Sequence, residues 1–247
     1  MSVALCAADF GMDQRKARAY AQGMLLHNQS MLADRSSVSP EDGMGSASAA
    51  LPSHVRIGDG IDALRCIRSA DVNLAIWRRS YPDVAIAEVI LDAVDDVAMV
   101  QPVEEIATTL PDELATAGYP TAIARLLAAD VATLASALAT IVGVTRVSIR
   151  LDVVETDACR RFHADYVTAR LICTYVGPGT QWLTAADAAA LGEGAAVDSL
   201  VVRSLSTGDV GMFKGKTWAP DAPIVHRSPP ILTTGERRLL LVIDPAP

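Results

Sequence analysis

The chain has 247 residues, enough for one large domain or one domain with an extension, and 51% of them are apolar, which supplies a core. Aromatic residues are only 4%, so Ala, Val, Leu and Ile must fill that core. A formal net charge of −8 argues against a nucleic-acid partner, which needs clustered Lys and Arg.

Residues 1–56 read as a poorly ordered leader with one helical patch, from Asp13 to Met31, ahead of a small-residue and Pro-containing tract. The start of the chain lacks a charged segment followed by a long apolar run, so no secretory signal is expected. Cys6, Cys66, Cys159 and Cys173 are scattered with no CxxC pair, which fits a reduced, cytoplasmic protein.

Residues 57–143 are expected to be mainly helical and to pack on a C-terminal barrel. Gly58-Asp59-Gly60 reads as a turn before a helix. Apolar residues recur at helical spacing from Asp83 to Asp95, Pro111-Asp112-Glu113 opens a short helix, and Thr121 begins a long one ending at Gly143. Val72 to Arg78 reads alternatively as a strand. The most apolar stretch, Thr121 to Val144, contains Arg125 and Asp130, which suits a buried helix and not a membrane span.

At Val144 the period changes. From Val147 to Val153 the odd positions are apolar and the even ones polar, the pattern of a half-buried strand. Strand-like runs come next at Tyr166–Val176, Val197–Leu205, Val210–Lys214, Ile224–Val225 and Arg237–Asp244, separated by turns such as Gly177-Pro178-Gly179. Residues 144–247 are therefore expected to form a β-barrel domain. The fold class is α+β, a mostly helical N-terminal half followed by a jelly-roll or sandwich.

Two of the four histidines, His163 and His226, lie next to strand signals in that half. In an extended segment His163 and Asp165 project to one face and can converge on one point. The structural alternative is Asp165 pairing with Arg161 or Arg170. With His226 on a late strand as a third ligand, two imidazoles and a carboxylate would leave open positions on a metal, as in non-haem Fe(II) oxygenases. Cys159, four residues before His163, offers a thiolate for a tetrahedral zinc site instead. Arginine grips carboxylates with a planar fork. Of Arg237 and Arg238 only one can face inward, and the parity of Leu239 and Leu241 favours Arg237. By the parity of the run after Asp165, Tyr175 would share its face and donate to an anionic co-substrate, or serve as ordinary core. Trp182 and Trp218 line the pocket mouth or simply pack. From Arg160 to Arg238 nine Lys/Arg outnumber seven Asp/Glu, so this stretch is +2 against −10 elsewhere. Lys214, Lys216 and Arg227 there could attract a small anionic substrate.

The order of signals resembles the double-stranded β-helix of the Fe(II)/2-oxoglutarate-dependent dioxygenases. His163-x-Asp165 precedes the hairpin at Gly208-Asp209-Val210, then His226, then Gly235-Glu236-Arg237-Arg238. The resemblance covers about residues 144–247. It implies metal ligands at His163, Asp165 and His226, and an ion pair from Arg237 or Arg238 to the far carboxylate of 2-oxoglutarate. More narrowly, Cys159 to Asp165, Thr174 to Thr180 and His226-Arg227-Ser228-Pro229 resemble a bacterial family catalogued as domain of unknown function 1826. That likeness implies a link to zinc-responsive genes and leaves the metal open. The leading expectation is an Fe(II)- and 2-oxoglutarate-dependent oxygenase acting on a small-molecule or side-chain substrate. The alternatives are a non-oxidative, cupin-like zinc protein and a metal-free binding scaffold.

Overall fold

The computed structural model describes residues 51–79, 86, 89 and 91–247. The helical patch expected at Asp13 to Met31 lies outside these residues, as do six of the thirteen residues of the helix expected at Asp83 to Asp95, in which Leu91–Ala93 form a 3-10 turn. Residues Pro52–Pro247 make one compact unit of mixed α/β structure. Its strands are β1 (Val55–Gly58), β2 (Leu74–Trp77), β3 (Val97–Pro102), β4 (Arg146–Val154), β5 (Ala169–Val176), β6 (Gln181–Trp182), β7 (Arg203–Ser204), β8 (Val210–Lys214), β9 (His226–Arg227) and β10 (Arg238–Ala246). The α-helices are α1 (Ile106–Thr116), α2 (Thr121–Val142) and α3 (Ala185–Gly192), with a 3-10 helix at Ile61–Arg68.

Seven strands form one sheet in the order β1-β2-β8-β5-β10-β4-β3, antiparallel except for β1 and β2. The order β7-β6-β9 forms a second, small sheet, and His163 extends it by pairing with His226. From β4 to β10 the chain alternates between the two. It runs through β4, the His163 segment, β5, then β6 and β7, then β8, β9 and β10. The mainly helical region expected at 57–143 thus also contributes β2, β3 and half of β1, which widen the large sheet at both edges. A continuous apolar run such as Leu74-Ala75-Ile76 reads equally as strand or buried helix without its partners.

Both faces of the large sheet carry buried residues at β2, β5, β8 and β10. Val147, Ile149 and Leu151 of β4, Leu171, Cys173 and Tyr175 of β5, and Leu239, Leu241 and Ile243 of β10 pack with α1, α2 and the 3-10 helix. Ile172, Phe213 and Leu240, on the opposite face, cluster with Trp182, Leu205 and Ile224 from the small-sheet side. The helix α2 is apolar and long enough to cross a membrane, yet ten of its residues are buried here. Asp130, its one acid, accepts two hydrogen bonds from Arg79 at 2.5 and 2.7 Å and one from the Tyr175 hydroxyl at 2.7 Å. Gly143 ends it at φ 83°, a conformation that costs glycine little.

Candidate metal centre

His163 and His226 exchange both backbone hydrogen bonds, at 3.0 and 2.9 Å. Such a directly opposed antiparallel pair projects its side chains to the same face, and the imidazole centroids lie 4.8 Å apart. Asp165, two residues beyond His163, joins them. The three side chains each offer one ligand atom, all within 4.8 Å of one another. Gly215 lets the Asp165 segment approach, because a Cβ there would sit 2.1 Å from the Val167 carbonyl and 2.9 Å from that of Asp165.

The hydrogen bonds orient these groups. Nδ1 of His163 lies 2.8 Å from the Arg161 carbonyl, and Nδ1 of His226 lies 3.4 Å from that of Ile224. A carbonyl only accepts, so each Nδ1 carries the proton. Each Nε2 then faces the Asp165 carboxylate, at 3.5 and 3.2 Å respectively, where a metal would take the place of a bridging proton. This arrangement fixes the tautomer of a metal-ligating histidine. Arg170 holds the carboxylate with Nη1 2.8 Å from Oδ2, and is itself gripped by Asp244 at 2.8 and 2.7 Å. Burial would raise the Asp165 pKa, but the hydrogen bonds from His163 and His226 and the charge of Arg170 hold it well below the ordinary range. The bond to Asp165 also raises the pKa of His163. Oδ2 of Asp165 is buried between Arg170 Nη1 and His226 Nε2, so the carboxylate is held in place as an ion.

The histidines open onto a cleft of about 180 Å³, walled by Ile172, Leu240 and Val242 and bordered by Arg150, Asp152 and Thr180. Behind Thr180 and Ser228 stands Arg238, 0% exposed. It donates to Pro178 O at 2.7 Å, Ser228 Oγ at 2.9 Å, Thr174 Oγ1 at 3.1 Å and Thr180 Oγ1 at 3.2 Å. All four acceptors are neutral, and burial pulls the guanidinium down to about 10.

Other expected residues fall elsewhere. Arg237 pairs with Asp92 and with Glu155 (3.2 Å), outside the cleft. Tyr175 is fully buried on the helix-facing side with Asp130. The inward parity assigned to Leu239 and Leu241, and to the Tyr175 row, belongs to the helix-facing side. Thr174, Arg238, Leu240 and Val242 are the residues on the cleft side. Cys159 borders the cleft, but its thiol stands outside the ligand group. Trp182 is buried in the inner apolar cluster, while Trp218 lies 5.1 Å from Lys214 Nζ. Lys214 donates to Ser69 O, Lys216 stacks on Tyr166, and the Arg227 guanidinium is held by Gln181 Oε1 and Phe162. Ser228, Thr180 and Asp244 were not foreseen, although Ser228 lies two residues from His226 and same-face spacing points to it.

The family described as "Protein of unknown function (DUF1826)" matches residues 58–244. The chain belongs to this family. A search of curated proteins found no match. Among solved structures, a Pseudomonas putida prolyl-4-hydroxylase aligns at 11% identity and a TM-score of 0.39, covering 75% of this chain and 97% of that one. A full-length Neurospora crassa protein in complex with alpha-KG aligns at 13% and 0.31, covering 70% of this chain and 62% of that one. A C-terminally truncated apo form of the same Neurospora crassa protein aligns at 14% and 0.29, covering 72% and 68%. These likenesses are distant, and the chemistry of this DUF1826 member is read from its own side chains.

Proposed function

We propose that this protein is an Fe(II)- and 2-oxoglutarate-dependent oxygenase. The pairing in one barrel of a His163/Asp165/His226 group with Arg238, a buried guanidinium whose hydrogen-bond partners are all neutral, carries this reading. The strand order supports it. Numbering the segments from β4 to β10 as 1 to 8, with the His163 segment as 2, gives 1-8-3-6 in the large sheet and 2-7-4-5 in the small one. This order supports reading residues 144–247 as a double-stranded β-helix, a jelly-roll of two sheets.

The residues present fit the metal: two imidazole nitrogens and one carboxylate oxygen, all within 4.8 Å of one another. His163 and His226 would bind through Nε2, while Arg170 and Asp244 keep Asp165 in place. Arg238, with the hydroxyls of Thr180 and Ser228 in front of it, would receive the far carboxylate of 2-oxoglutarate. Ile172, Leu240 and Val242 would keep water from the reacting atoms. The bound metal and co-substrate supply oxidation of a substrate C–H bond by dioxygen, with 2-oxoglutarate leaving as succinate and carbon dioxide. The substrate is a small molecule or a side chain that enters past Arg150 and Asp152.

The test is anaerobic. Metal-free protein receives Fe(II) and then 2-oxoglutarate while visible absorption is recorded. A weak charge-transfer band that needs both additions and is missing in His163→Ala supports the proposal. Stoichiometric Fe(II) binding with no band on adding 2-oxoglutarate overturns it.

A further inference from the structure

The cleft that holds the histidines has a charged wall that neither the metal group nor Arg238 uses. Strand alternation puts Arg150 and Asp152 of β4 on the cleft side, because Ile149 and Leu151 pack on the helix-facing side. Nη1 of Arg150 donates to Oδ2 of Asp152 at 3.0 Å, and the two side chains stay 44% and 25% exposed. Among the described residues neither side chain has another hydrogen-bond partner. Their strand neighbours are apolar: Ala98 lies opposite Arg150 on β3, and on β10 Val242 lies opposite Arg150 and Leu240 opposite Asp152. Arg150 therefore offers its remaining N–H groups, and Asp152 its Oδ1, side by side at the cleft wall. Burial raises the Asp152 pKa; Arg150 pulls it down and the nearby Asp96 carboxylate raises it again, so negative charge there is not fully met.

Resting on the oxygenase reading, we infer that Arg150 and Asp152 hold the head group of a free α-amino acid, the substrate class of this cleft. A carboxylate accepts from Arg150 while an ammonium donates to Asp152. The two ligand charges sit on one carbon, as the two protein groups sit one hydrogen bond apart. A lone anion would meet Asp152 and a lone cation would meet Arg150, so only a group carrying both charges gains at both. The row Arg150, Val242, Ile172 crosses three neighbouring strands, about 10 Å at ~4.8 Å per strand. Arg170, two residues before Ile172, holds Asp165 of the metal group. An aliphatic side chain lying over Val242 and Ile172 thus leads from the head group toward the metal ligands.

The experiment is calorimetric titration of L-norleucine into the full chain loaded under argon with Fe(II) and 2-oxoglutarate. Hexanoate, n-pentylammonium and N-acetyl-L-norleucine amide, which each lack part of the head group, are the controls. One norleucine per chain is expected, with every control at least about tenfold weaker. Asp152→Asn should erase the preference for norleucine over hexanoate, and Arg150→Met the preference over pentylammonium, each with little change in melting temperature. The inference is overturned if norleucine does not bind, if any control binds as well, or if either variant keeps both preferences. The charge-transfer band of Fe(II) with 2-oxoglutarate is recorded first on the same sample. A band without norleucine binding overturns this inference alone. With no band the oxygenase reading falls, and the titration repeated on metal-free protein supports the head-group site if the preferences hold and overturns it if they do not.

Discussion

Replacing Arg238 by Met separates the structural from the functional role of the buried guanidinium. Holding the charge out of water pulls it to about 10, which at ~1.4 kcal/mol per pH unit costs the fold roughly 3 kcal/mol. Met recovers that cost but leaves four neutral acceptors without their donor, at about 1 kcal/mol each. The two effects nearly cancel, so the variant should fold and melt within a few degrees of the parent. Binding should respond differently. Losing one partner of a buried charge pair costs about 2–5 kcal/mol, and a middle value of ~3 kcal/mol weakens 2-oxoglutarate roughly 100-fold. The assay is an anaerobic titration of the Fe(II)-loaded protein with 2-oxoglutarate, Arg237→Met serving as the control. A folded Arg238→Met protein with unchanged half-saturation, or an equal loss in Arg237→Met, would refute the assignment.

Asp130→Ala should destabilise the fold by about 3–5 kcal/mol in urea unfolding, because it strands the buried Arg79 charge; a loss under about 1 kcal/mol would show that Asp130 is not its counter-ion. Iodoacetamide at pH 8 should modify exposed Cys66 and Cys159 but not Cys173, which is fully buried with its thiol pushed up to about 12. Mass spectrometry showing Cys173 labelled in the folded protein would contradict that burial. In metal-free protein, the depressed Asp165 carboxyl contributes stability that is present above pH ~4 and lost as pH falls toward its folded value. Asp165→Asn should flatten this acid limb in urea midpoints taken from pH 3 to 6, and an unchanged limb would exclude Asp165 as its source.

The local parts of the site were legible and the facing was not. His163 and Asp165 share a face because strand side chains alternate every two residues, a rule that needs no tertiary information. The turn at Gly177-Pro178-Gly179 directly follows β5, as its chemistry suggested, and β8 matches Val210–Lys214. Alternation also placed Arg237 on one face of β10 and Arg238 on the other. Choosing between those faces required knowing that the sheet is covered twice, by helices and by the small sheet. Leu239, Leu241 and Ile243 are as apolar as a site-facing row would be, yet they meet α2 and its neighbours. Tyr175, read either as a co-substrate donor or as ordinary core, is core for the same reason. The strands at Val55–Gly58 and Val97–Pro102 were hidden because each is stabilised by a partner distant in sequence, β2 and β4 respectively. The run from Val197 to Leu205, read as one strand, became a 3-10 turn and the two residues of β7.

The most direct measurement is calorimetric titration of Fe(II) into metal-free protein under argon. One ion per chain is expected for the parent and for Cys159→Ser, and none for His226→Ala. Full stoichiometry in His226→Ala, or no binding by the parent, would contradict a metal held by His163, Asp165 and His226.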